Sequence, residues 1–113
     1  MAQFLAVYTG SPDRPMGGPG DMDPAEIGRG MDAWGRWMED NADRIVFAGG
    51  PVGKTKKTSR AGVQDIRNLL TGFTIFTADS HEEAAQLFLN HPHFSIFPGE
   101  GVEVMEIMAI PTR

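Results

Sequence analysis

Two imidazoles flank a proline at His91-Pro92-His93, just past a stretch that reads as a helix. Histidine is the side chain best tuned to move protons near neutral pH, so a general acid/base or substrate-binding role for one of the pair is the sharpest chemical reading of the chain. His-x-His is also a permissible metal spacing, but no third ligand is visible and no metal site is expected. The plainer alternative is a histidine placed at a helix end by the helix dipole. Glu103, in the apolar run VEVMEIMAI, would be a base if its side of the strand were dry; Glu106 falls on the opposite face. Tyr8, Trp34 and Trp37 could line a pocket for a small ring, and Lys54 could meet an anionic ligand. Each has a bland counterpart: a rim tyrosine, core or interface tryptophans, a solvated loop lysine. His81, just after a helix cap, reads as exposed.

A second stretch invites a different chemistry. AGGPVGKT, 48–55, matches the lenient form of a phosphate-binding loop. Such a loop works only when a helix follows, its N-terminus facing the anion. Here KKTSRAG follows, without an apolar helical stripe, and Pro51 removes one N–H from the cradle. The stretch reads as a strand end followed by a solvated basic loop, and no cofactor signature emerges elsewhere.

The elements that must position these residues fit one domain spanning 1–113. Net charge is −5, which argues against nucleic-acid binding. There is no cysteine, and no apolar stretch approaches the roughly 18 residues of a membrane span. With no signal peptide visible, a cytoplasmic location is expected.

Gln3–Thr9 reads as a strand, followed by a Gly- and Pro-dense loop over 10–22. Asp23-Pro24-Ala25-Glu26 starts a helix with an aspartate cap and proline at the first turn. Ile27, Met31, Trp34 and Met38 form its apolar stripe, widened by Trp37, and Gly28, Gly30 and Gly35 imply close packing or tolerated weakness. Strands are expected at 44–48, 72–78 and 102–110, with a capped helix from Ser80 to about Asn90. From 52 to 70 the pattern is irregular, with room for a short hairpin arm. The order is β-α-β-β-α-β, a ferredoxin-like α+β arrangement with a four-stranded antiparallel sheet. Two helices cover one face of such a sheet. The strands are nonetheless apolar on both faces, with Phe73 and Ile75 opposing Phe76, and Val102 and Val104 opposing Met105 and Ile107. A second copy covering the bare face, an isologous homodimer, is the simplest solution; loops folding over it are the alternative.

Tyr8, the tryptophan-bearing helix, GGPV at 49–52, LTGFTIFTADSHEEA at 70–84 and HPHFSIFPGEGVEVMEI at 91–107 together resemble the YCII-related proteins, especially their DGPF-like branch. The resemblance covers most of the chain and is weakest at 10–22 and 53–68. It implies a dimeric α/β barrel of ferredoxin-like subunits. Some relatives act on small aromatic compounds such as chlorinated hydroxyhydroquinones, and others are linked to transcription factors. The YCII branch proper carries a histidine in the first helix, paired with an aspartate. Here that helix has Asp32 and no histidine, so that dyad is not carried over, and Gly50-Pro51 is all that stands for the DGPF turn. The expectation is a small enzyme using acid–base chemistry on a small aromatic or anionic compound in a hydrophobic cleft. The alternative is a non-catalytic dimeric module that binds a ligand or regulatory partner.

Overall fold

The computed structural model describes residues 1–11 and 22–111. The chain is α+β, with a four-stranded antiparallel sheet. Its elements are β1 (Ala2–Thr9), α1 (Pro24–Asp40), β2 (Ile45–Pro51), β3 (Thr55–Ser59), β4 (Gly62–Ile66), β5 (Leu70–Ala78), α2 (His81–Gln86), α3 (Pro92–Ser95) and β6 (Gly101–Glu106). The main sheet runs β2-β5-β1-β6, and β3 and β4 pair with each other in a separate hairpin. The loop expected over 10–22 falls almost wholly outside the described residues.

Both helix starts form as their sequences dictate. The Asp23 side chain accepts from the Glu26 N–H at 2.8 Å with Pro24 in the first turn, and the Ser80 hydroxyl accepts from the Glu83 N–H at 3.0 Å. The second helix is shorter than expected. It ends at Gln86, and the chain turns through Asn90 at φ 60 to reach His91. His91 itself is extended (φ −59, ψ 141), as a residue before proline must be. It caps a short helix, α3, inside what reads in sequence as a simple connection.

Strand alternation sets the two faces of the sheet. Phe4, Ala6 and Tyr8 of β1 and Phe76 and Ala78 of β5 point under the helices, where Ala84 and Phe88 complete the core. On the other face lie two cross-strand rows, Phe47–Ile75–Leu5–Met105 and Phe73–Val7–Glu103. Phe47 is 57% exposed and Met105 42%. The two-sided apolar pattern is thus real, and neither helix covers the second face. The hairpin does not cover it either: every side chain from Lys56 to Asp65 is exposed.

The last strand stops at Glu106, short of the expected Ile110; Met108 and Ile110 are exposed. In α1, Met31 is 61% exposed and leaves the apolar stripe. Its place is taken by Gly30, which is buried because Phe97 lies over it; an added Cβ would come within 2.6 Å of that ring. The segment after AGGPVGKT is strand β3, not a helix, so no phosphate-binding loop is built there.

Candidate functional site

At the Thr9 end of β1, four elements deliver aromatic rings into one nest. β1 supplies Tyr8, α1 supplies Trp34 and Trp37, the turn after α2 supplies Phe88, and α3 with its cap supplies His91 and His93. The His91 ring centroid is 4.6 Å from Trp34, 4.7 Å from Trp37 and 5.4 Å from Tyr8. His93 is 5.4 Å from Tyr8 and 5.9 Å from Trp34. Both tryptophans meet His91 edge-on, the arrangement in which a ring N–H or C–H meets an aromatic face. The indoles are half-buried, whereas the imidazoles and the phenol are buried.

The hydrogen bonds fix the same tautomer in both rings but leave different nitrogens unused. His91 Nδ1 accepts from the His93 backbone N–H at 3.0 Å, so in the neutral ring the proton sits on Nε2. That Nε2 is buried and has no hydrogen-bond partner. His93 also carries its proton on Nε2, but there it is the N–H that is engaged. Its Nε2–H donates to the Thr9 carbonyl at 2.7 Å, which leaves Nδ1 as the basic nitrogen. One ring therefore presents a donor and the other a base.

Burial sets the protonation of both. It pushes the His91 pKa down to about 3, with the neighbouring His93 adding to the effect. It also lowers His93, against an opposing pull from the Thr9 carbonyl and from Glu100. Glu100 is held beside β1 because its carboxylate accepts from the Thr9 hydroxyl at 2.7 Å while its backbone N–H reaches the Thr9 carbonyl at 2.9 Å. Gly99 is required between them, since any Cβ there would strike the His93 ring and carbonyl.

Tyr8 is not a wet rim residue. Thr74 donates its one proton to the Ala48 carbonyl at 3.0 Å, so Tyr8 donates to the Thr74 hydroxyl at 2.8 Å. Burial raises the phenol pKa, partly offset by that bond. Trp37 Nε1–H is committed to the Leu87 carbonyl at 3.2 Å.

Two residues singled out in the sequence lie elsewhere. Glu103 is exposed on the far face of the sheet, opposite Val7, because odd-numbered residues of β6 point away from the helices. It is in neither a dry setting nor the nest. Lys54 is exposed in the link between β2 and β3 and takes no part in the nest's hydrogen bonds. The groups that act on His93, the Thr9 carbonyl and the Glu100 carboxylate, carried no sequence signal of their own. His81 is exposed, as expected, and its Nε2 lies 2.9 Å from the Val104 carbonyl.

His91, at the centre of the nest, is fully buried. An open hollow of about 420 Å³ lies along the exposed face of α1, lined by Ala25, Gly28, Arg29, Asp32, Ala33 and Arg36. No histidine lines it. No helix among the described residues is long and apolar enough to cross a membrane.

No known protein family matches the sequence, and no curated protein does. Solved structures do match in fold. One is 5-chloro-2-hydroxyhydroquinone dehydrochlorinase (TftG) from Burkholderia phenoliruptrix AC1100, in complex with 2,5-dihydroxybenzoquinone. It is 19% identical, with a TM-score of 0.58 over 94% of this chain and 93% of that one. A second, At3g17210 from Arabidopsis thaliana, is 10% identical with a TM-score of 0.46 over 100% and 99%. The first likeness shows that this chain shares the fold of the dehydrochlorinase.

Proposed function

We propose that this chain is a small enzyme that moves protons on a small aromatic compound at the nest of Tyr8, Trp34, Trp37, His91 and His93. The observation that carries the reading is the pair of buried imidazoles, His91 with an unpartnered Nε2–H and His93 with its Nε2–H engaged and Nδ1 left as the basic nitrogen. His93 Nδ1 is the base. His91 Nε2–H is the donor to a substrate oxygen; a neutral imidazole stabilises developing negative charge there without giving up its proton. The indoles hold the ring, and access to His91 requires Trp34 to swing outward. The shared fold with a dehydrochlorinase of a hydroxyhydroquinone supports the aromatic substrate class. Lys54 adds only a general attraction for anions.

We further propose a ferredoxin-like subunit in a YCII-related dimeric α/β barrel, with the apolar outer faces of two sheets packed together. The strand order and the exposed Phe47 and Met105 support it. A non-catalytic dimeric module is the second reading, favoured by the complete closure over His91.

Titration with 2,5-dihydroxybenzoquinone, read by tryptophan fluorescence, separates the two, because both indoles line the nest. Exchange of ring protons of the matching hydroquinone with D2O is followed by NMR. The enzyme reading expects saturable quenching and catalysed exchange, with exchange falling at least ~100-fold in His93→Gln while binding persists. Binding without exchange leaves the module, and neither effect removes the nest as a site.

A further inference from the structure

The hairpin of β3 and β4 is an arm without a core of its own. A two-stranded hairpin alone in water is marginal, yet this one is regular over five cross-strand pairs with Lys56–Asp65 exposed throughout. Residues 54–67 carry five basic side chains and one acidic, net +4, in a chain of net charge −5, so the remainder stands at −9. Lys56 is paired with Asp65 within the arm. Lys57 stands on the opposite face, with Thr55, Gln64 and Ile66, where the arm has no acid.

The outer face of the sheet has the complementary feature. In its two rows Glu103 is the charged residue, set at the β6 edge beside Val7 and Met105. A carboxylate entering an apolar interface is costly unless a cation meets it, and those rows contain no basic residue. A two-fold axis running along the strands sets the β2 edge of one copy over the β6 edge of the other. The arm leaves from that β2 edge, where Pro51 is level with Gly72, Gly72 with Tyr8, and Tyr8 with Val102. Its root is thus at the height of Glu103.

We propose that the arm of each copy closes over β6 of a second copy, with Lys57 against the partner's Glu103. The proposal rests on the dimer reading above and deepens it by naming what the arm and the stray carboxylate do. Glu103 is on this account an interface residue.

The test is the dimer dissociation constant, measured by analytical ultracentrifugation on the full chain for wild type, Lys57→Glu, Glu103→Lys and the double reversal. Both sites are exposed, and far-UV circular dichroism checks that each variant is folded. Each single change is expected to weaken the dimer ~10-fold or more, and the double to return within ~3-fold of wild type. Because the chain has no cysteine, Lys57→Cys with Glu103→Cys gives a second readout, a disulfide-linked dimer that neither single cysteine variant forms at that position. A wild-type chain that stays monomeric at about 100 μM overturns both the dimer and the arm contact. A wild-type dimer with indifferent single variants and no cross-link overturns the arm contact alone and leaves the dimer standing.

Discussion

His91 is a fully buried imidazole whose only hydrogen bond, at Nδ1, is to its own short helix. Its pKa of about 3 lies below the ordinary 6.5. As pH falls below about 6.5 the unfolded chain takes up a proton that the folded chain refuses, so stability is complete above that point and declines towards pH 3. The expected loss is up to ~1.4 kcal/mol per pH unit, with His93 adding in the same direction. Urea unfolding between pH 7.5 and 4.5 measures it. His91→Asn keeps a capping oxygen and removes the titration, so its profile should be flatter; an unchanged slope would mean another group is responsible. That His91-Pro92-His93 sets two imidazoles beside a helix end was legible from residue types and the proline. Which nitrogen of each ring is left free was not, because the partners that engage them lie on β1 and on the main chain of α3.

At the scale of elements, local rules did well where the signal was local. The caps at Asp23 and Ser80, the hairpin arm and the extended residue before Pro92 all follow from neighbours in sequence. The three glycines of α1 could not be sorted that way. Gly28 and Gly35 face open space, whereas Gly30 sits beneath Phe97, 67 positions further along the chain. Gly28→Ala is expected to stabilise the protein by up to ~1 kcal/mol through helix propensity alone. Gly30→Val is expected to cost ~1–3 kcal/mol by displacing Phe97. Thermal melts of the pair check this, and equal effects would mean that α1 does not press on Phe97. Met31 was misplaced for the same reason: its helical spacing matched the stripe, but the short contact at Gly30 tilts the buried side of the helix away from it.

At the scale of the whole molecule, the proposed dimer places the uncovered sheet face at its interface. Ile75 lies between Phe47 and Leu5 at the middle of that face. Ile75→Lys should leave the helix-side core intact and shift the chain to monomer, with at least a ~100-fold weaker dimer, since a buried unpaired ammonium costs several kcal/mol. Light scattering coupled to gel filtration reads it. If the variant dimerises like wild type, the apolar rows are not the interface.

The sequence by itself determined the order of the four sheet strands and the two longer helices, the starts of those helices and the amphipathic logic of the strands, because periodicity and capping are set by residues a few positions apart. It also argued against a phosphate loop, since no apolar helical stripe follows Thr55. Tertiary structure alone decided which of the chemically capable residues meet. Tyr8, Trp34, His91 and His93 come from three distant stretches and converge only once β1 and the helices pack. Glu103, close in sequence to the histidines, is carried to the other side by the two-residue alternation of β6. A strand's pattern shows that its two faces differ, but which face is buried depends on what the rest of the chain lays against it.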